Sequence, residues 1–368
     1  MPNYNGQLRP NEVFAAIYNM IISQQVFSGN IKGTKSTLVD MARVDGSLYG
    51  DTKLYYSTDA LYSSEWGKDA EAANLLNLYR PESPKCQAIY LDVFRQICLT
   101  VDNYLTKRAW STEDAFQSFN SVMLGWMRDT KRVYDSSIYN TYIGTTETDI
   151  GRQTIEVDLT TALAGLTGEE KARVKAGVIG EAMAKLLTDL EDFSRDFNDY
   201  GQLRSYDINE LKFIWNSDVV AGIEKRDLPT TFHKDFIDKF AQHTLPARYF
   251  GDVNGTDVET SNGTTIRSLT EQIVKNTTGT SFHVFAGDII PENVKLVEGG
   301  KVIVPSYTQN SNILFKVIHE DSVPYMSAFE TQTSFFNPKA LTETNYLTFG
   351  HNTLEYLKGK PFITVKSK

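Results

Sequence analysis

The chain has 368 residues, 41% of them hydrophobic and 12% aromatic, with a formal net charge of -9; that is long enough for two or three domains around a real core. The acidic balance argues against a general nucleic-acid binder, whose footprint is a basic face, and no stretch approaches the roughly 20 apolar residues of a membrane span. The opening MPNYNGQLRPNE lacks the basic start and apolar run of a secretory signal, and the two cysteines, Cys86 and Cys98, are too few for a disulfide framework or zinc ribbon, so the expectation is a cytoplasmic protein.

Val13, Phe14, Ile17, Tyr18, Ile21 and Ile22 recur at helical spacing and predict an amphipathic helix over about 11–26. GNIKGTKST (29–37) follows. It has the look of a phosphate-binding loop, but Gly33 comes one place early and Thr34 stands where a glycine should precede Lys35. That glycine lets backbone N–H groups curl around phosphate without a Cβ in the way. A helix, not a buried strand, precedes the segment, so it reads as a basic connector.

Residues 41–100 are irregular, with GSLYGD, an alternating KLYYST, a polar EWGKDAEAAN and PESPK before the strand-like CQAIYLDVFRQICLTVDNYL. So long an excursion between two strand-like segments reads as an extended hairpin or arm with a task. Tyrosines in polar, glycine-rich settings (SLYG, KLYYSTDALYSSEW, SIYNTYIG) suit protein contacts, although ordinary core aromatics produce the same pattern.

Ser111 and Thr112 offer a cap, with Glu113 and Asp114 in the first turn. Phe116, Phe119, Met123, Trp126, Thr130 and Tyr134 then predict one helix over about 112–140, on the order of 40 Å long. TIEVDL alternates as a strand. Thr167 and Glu170 form a capping-box pattern, and Val174, Val178, Ala182, Leu186, Leu190, Phe193 and Phe197 predict a second helix over about 167–200, closed by Gly201. LKFIWN reads as a strand and SDVVAGIEK as a short helix capped by Ser217. GDVNGTDVETSNGTT reads as loop. The last third is β-rich (FHVFAGDII, KVIVPSY, NILFKVIHED, KGKPFITVK), interrupted by the polar-aromatic FETQTSFFNPKALTETNYLTFGHNTLEYL.

Chemistry is sparse. His233, His243, His283, His319 and His351 fall in no metal-ligand spacing. His319 and Asp321 share a strand face, which fits a cation site or a solvated strand end. Asp189, Asp192, Asp196 and Asp199 share a face of the second helix, as a cation site or, the simpler reading, a solvated acidic face. There is no G-x-S-x-G, and neither cysteine has a motif partner. Asn254, Asn262 and Asn276 open Asn-x-Thr sequons, which mark surface turns made by Asn-Gly in a chain without a secretion signal. The residues alone therefore describe a soluble α+β protein with a long arm, two strong helices and no catalytic signature.

The order of these elements resembles tailed-bacteriophage major capsid proteins of the Hong Kong 97 fold, shared with herpesvirus shells and encapsulins. VDGSLYGDTKLYYSTDA resembles the start of the extended loop (E-loop) in capsid proteins of small podoviruses related to the phi-twenty-nine group, and CQAIYLDVFRQICLTVDNYLTKRAW resembles its return. The helix, strand and short helix from residue 167 resemble the axial-domain pattern, and FNPKALTETNYLTFGHNTLEYLKGKPFITV resembles the closing segment. The resemblance covers nearly the whole chain. It departs from some relatives in ending at PFITVKSK, which leaves no room for an added immunoglobulin-like domain.

The resemblance implies an α+β chain divided into an N-terminal arm (1–40), E-loop (41–100), peripheral domain with spine helix (101–160), axial domain (161–310) and returning C-terminal segment (311–368). It implies a structural subunit of an icosahedral head, with no catalytic residues, cofactor, metal or membrane. Its partners would be other copies in hexamers and pentamers, a scaffolding protein and a portal, around double-stranded DNA held without sequence-specific contact. The place would be the virion, after assembly in the host cytoplasm. Lys53, Tyr55, Tyr56, Tyr62 and Trp66 are the expected inter-subunit contacts. The competing readings are an encapsulin-like shell and a polymer-acting hydrolase using carboxylates.

Overall fold

The computed structural model describes residues 37–46, 52–63, 80–102, 113–148, 153–224, 243–257, 272–276, 281–284, 296–297 and 303–368. The expected helix at 11–26, residues 29–36 of the basic connector, the Ser111–Thr112 cap, Asn262 and Trp66 lie outside them.

In chain order the elements begin with α1 (Thr37–Met41), β1 (Arg43–Asp45), β2 (Thr52–Ser57), β3 (Lys85–Asp102) and α2 (Glu113–Thr145). Then come β4 (Thr154–Val157), α3 (Leu159–Ala162), α4 (Gly168–Glu191), β5 (Leu211–Asn216), α5 (Ser217–Glu224), β6 (His243–Leu245) and β7 (Gly251–Asp257). The rest are strands: β8 (Gln272–Asn276), β9 (Ser281–Val284), β10 (Leu296–Val297), β11 (Ile303–Gln309), β12 (Ile313–His319), β13 (Tyr325–Asn337), β14 (Thr342–Asn352) and β15 (Phe362–Ser367).

The chain divides into two units. The first holds the described residues among 1–51, 90–138 and 325–353. Here β1 runs parallel to β13, β13 antiparallel to β14, and β14 antiparallel to β3. The β14–β3 ladder extends from Thr342 opposite Asp102 to Asn352 opposite Leu91. Helix α2 lays Met127 and Tyr134 over Leu347, Phe349, Ile97 and Leu99, the apolar stripe that its periodicity predicts.

Beneath that stripe Asp135 is 1% exposed. It accepts hydrogen bonds from the Tyr325 hydroxyl at 2.7 Å and the Arg43 guanidinium at 3.1 Å, joining α2 to β13 and β1. His351 is buried beside it. Its Nδ1–H donates to the Asn352 carbonyl at 2.8 Å, and its Nε2 faces the Tyr134 hydroxyl at 3.0 Å. The stretch read as an interruption of the β-rich end is itself the β13–β14 hairpin, turned at 338–341 with Leu341 at φ 52°.

The second unit holds the described residues among 52–89, 139–324 and 354–368. Its main sheet has the order β4–β15–β12–β5–β6, with β4 parallel to β15, β12 antiparallel to both β15 and β5, and β6 parallel to β5. Every residue of β12 is buried; so continuous an apolar strand is stable only where both sheet faces are covered. Ile179, Met183, Leu186, Leu187 and Leu190 of α4 pack with Phe213, Trp215, Phe315, Val317, Ile363 and Val365 of the sheet. Lys316, fully buried in β12, is satisfied by donating to the Thr146 carbonyl at 2.5 Å and by lying over the Phe362 ring. β2 lies next to β3, β7 pairs with β11, and β8 pairs with β9 and β10.

Five local expectations are corrected. Helix α4 ends at Glu191, not near residue 200. Asp192 is extended, the Leu190 carbonyl accepts from the Tyr206 N–H at 2.9 Å, and Ser194 and Arg204 exchange backbone hydrogen bonds. Asp196 and Asp199 therefore leave the shared acidic face, and Asp199 instead accepts from Gln153 at 2.5 Å and the Tyr356 hydroxyl at 2.6 Å. Thr167 occupies the N-cap of α4 without a side-chain cap bond, so the capping box does not form. At α5 the Asn216 side chain accepts from the Asp218 N–H, while Ser217 Oγ accepts from the Ala247 N–H. Asn254–Gly255 is not a turn: it lies inside β7, opposite Ser306 and Pro305.

Candidate assembly surfaces

In β2 exposure follows the two-residue period of a strand. Lys53 and Tyr55 are half-buried, while Leu54 and Tyr56 are 52% and 66% exposed. Beyond β2, Leu61 and Tyr62 are 77% and 79% exposed. The five predicted contact residues thus divide: Tyr56 and Tyr62 face solvent, Lys53 and Tyr55 turn inward, and Trp66 lies outside the described residues.

The presenting segment is held firmly. Asp59 accepts from Arg195 at 2.6 Å, the Leu203 N–H at 2.9 Å and the Ala60 N–H at 2.8 Å. The Arg195 bond, more than any other contact, lowers its pKa to about 2. Arg204 donates to the Thr58 carbonyl at 2.6 Å, and Ser57 Oγ hydrogen-bonds the Gln202 side chain. Asn198 and Gln202 brace that loop by a reciprocal pair of side-chain-to-backbone bonds at 2.7 and 2.8 Å. Gly359 lets the 357–360 turn press against Ser57, where an added Cβ would stand 3.0 Å from Oγ.

A cleft of about 330 Å³ opens beside β2, lined among others by Tyr55, Tyr56, Tyr200, Arg204, His319 and Lys360. Among the described residues lining it, Glu210 is the one carboxylate. A carboxylate pair for polymer hydrolysis would need two acting together. His319 and Asp321 do meet, with Asp321 Oδ2 3.8 Å from Nδ1. Their neighbours are Glu210 and the Lys360 ammonium, each 3.1 Å from Nε2, and a second cation there would repel a metal ion. Among the described residues no group of three metal-ligand side chains forms, and no helix is long and apolar enough to cross a membrane.

The first unit carries a surface that sequence reasoning missed. On the β13–β14 hairpin Phe335 is 66% exposed, Phe336 48% and Leu341 45%. The available signal was the run TQTSFF, where adjacent phenylalanines on opposite faces find no other apolar residue to pack with.

No protein-family profile matches the sequence, and no curated protein does. Solved structures do. A chain of the capsid structure of Staphylococcus phage Andhra superposes with a TM-score of 0.57 at 11% identity, over 89% of this chain and 83% of that one. A chain from the structure of the head fiber and inner core protein of native bacteriophage P68 gives 0.56 at 11%, over 88% and 83%. The chain has a phage capsid fold. It is α+β and of the Hong Kong 97 type expected from the order of elements. At 11% identity the likeness is one of backbone and topology, so the capsid fold stands on the arrangement of elements alone.

Proposed function

We propose that this chain is the major capsid protein of a tailed bacteriophage, a structural subunit without enzymatic activity. Copies assemble into hexamers and pentamers of an icosahedral shell around double-stranded DNA, in the host cytoplasm and then in the virion, with scaffolding protein and portal as partners. The observation that carries this reading is the capsid fold matched over 89% of this chain and 83% of its neighbour. The VDGSLYGDTKLYYSTDA segment supports the finer placement near the phi-twenty-nine group.

On this reading residues 1–40 are the N-terminal arm, 41–100 the E-loop, 101–160 the peripheral domain with α2 as spine, 161–310 the axial domain and 311–368 the returning segment. Lys53, Tyr55, Tyr56, Tyr62 and Trp66 belong to the E-loop contact, with Tyr56 and Tyr62 as its exposed anchors. Aromatic anchors buried at interface centres contribute about 2 kcal/mol or more each.

Electron microscopy of the protein expressed alone and with a co-expressed scaffolding protein tests the reading. Shells, tubes or rings of six are expected. Combining Tyr56→Ser with Tyr62→Ser is expected to leave a folded subunit that assembles poorly. A wild-type chain that stays a monomer or dimer under every condition refutes the capsid reading; normal shells from the double variant refute the anchor assignment.

A further inference from the structure

Lys360 carries an ammonium that no carboxylate among the described residues meets. It lines the cleft beside β2, half-buried, with its Nζ 3.1 Å from His319 Nε2. Whether that contact is a hydrogen bond depends on where the His319 proton sits. The Asp321 N–H donates to Nδ1 at 3.1 Å, so Nδ1 presents its lone pair and a neutral ring carries its proton on Nε2. That Nε2–H donates to Glu210 Oε2 at 3.1 Å. The opposite tautomer would accept from Lys360. It would also set Nδ1–H against the Asp321 N–H, with Asp321 Oδ2 too far away at 3.8 Å, and would give up the Glu210 bond. Two bonds outweigh one. Burial first, and the charge of Lys360 second, lower the His319 pKa and keep the ring neutral. Lys360 therefore faces a donor, and no carboxylate among the described residues comes within ion-pair distance of it.

Arg204, in the same cleft, spends its Nη2 on neutral acceptors: Ser57 Oγ at 3.0 Å, the Thr58 carbonyl at 2.6 Å and Gln202 Oε1 at 3.1 Å. The hydroxyls of Tyr55 and Tyr200 have pKa values raised chiefly by burial and stay protonated as donors. Two cations without a carboxylate partner among the described residues thus share one cleft, in a chain with 46 acidic and 37 basic side chains. Tyr56, part of the exposed β2 surface, also lines it.

We infer that this cleft receives a carboxylate side chain from a second copy of the chain, with Lys360 as its ion-pair partner. The inference rests on the capsid reading, which sets copies side by side. A single carboxylate suits the Lys360 ammonium, whose neighbour His319 also meets Glu210 and Asp321, whereas a nucleic-acid backbone would bring a row of phosphates against those same acids.

Carbodiimide coupling on an equal mixture of 14N- and 15N-labelled chains, followed by peptide mass spectrometry, tests it alongside sedimentation of the same sample. An amide between Lys360 of one copy and an Asp or Glu of another is expected in assembled fractions. Lys360→Gln should remove that crosslink and raise the concentration needed for assembly by about tenfold or more, with Lys360→Arg restoring most of it. Assembly without any Lys360 crosslink between copies overturns the inference and leaves the capsid reading standing. A chain that never self-associates overturns both, and sedimentation tells the two cases apart. If Lys360→Gln weakens binding to a fluorescent DNA duplex while assembly is unchanged, the occupant is a polyanion and the inference is wrong.

Discussion

Asp135 shows what one buried charge does in this fold. Its side chain is 1% exposed and holds together three elements far apart in sequence, through Arg43 on β1, Tyr325 on β13 and its own helix α2. The Tyr325 hydroxyl is pushed to a higher pKa, first by burial and then by the Asp135 charge, so it stays a donor. Asp135→Ala removes the carboxylate that the Arg43 guanidinium and the Tyr325 hydroxyl share. Arg43 keeps its Asp40 contact and 34% exposure, so the loss falls near the lower end of that for breaking a buried pair, about 3 kcal/mol. Asp135→Asn keeps an acceptor for Tyr325 and is expected to lose less. Urea midpoints for the two variants check the order, and equal losses would mean that the charge contributes nothing beyond the hydrogen bond.

Helix α2, 33 residues long and about 50 Å in length, tests packing with two of its own glycines. At Gly144 an added Cβ would stand 2.1 Å from the Tyr249 carbonyl oxygen and 2.6 Å from its carbon, and backbone atoms yield little. At Gly125 nothing lies within 4 Å. Gly144→Ala is expected to destabilise by about 3 kcal/mol or more through overpacking, and Gly125→Ala to stabilise by up to about 1 kcal/mol through helix propensity. Thermal melts of the two variants should therefore shift in opposite directions. The periodicity of α2 was legible because apolar residues recur in the sequence at helical spacing from Phe116 to Tyr134. The end of α4 was not. Val174 to Phe197 keep the helical period past the true terminus, and the helix stops where residues 204–206 take up the backbone groups of 190 and 194. Past the break Phe193 is 73% exposed while Phe197 is buried.

For the molecule as a whole, acid response follows from its buried histidines. His243, His319 and His351 each have pKa values lowered from the usual 6.5, with burial the largest cause in every case. A lowered folded pKa means that the unfolded chain takes up protons first as pH falls. The stability these groups contribute is fully present above about 6.5 and is lost as pH drops through their folded values. Melting temperatures are expected to be level between pH 9 and 7 in this respect and to decline from pH 6.5 to 5. His351→Gln should flatten that decline; an unchanged slope would show that His351 is accessible to protons in the folded state.

Local chemistry wrote much of the architecture into the chain. Alternation marked β2 and β3, a 3.6-residue period marked α2 and the start of α4, and the apolar run ILFKVI marked the doubly covered strand β12, because each is a statement about which side chains leave water together. The polar β13–β14 hairpin carried no such mark. Its second strand, β14, pairs with β3, 240 to 261 positions away in sequence, through backbone groups that every residue owns. The cleft was hidden for the same reason. Tyr55, Arg204, Glu210, His319 and Lys360 are unremarkable where they stand in the chain, and the donor that Lys360 faces is set only once Asp321 and Glu210 have fixed the His319 proton.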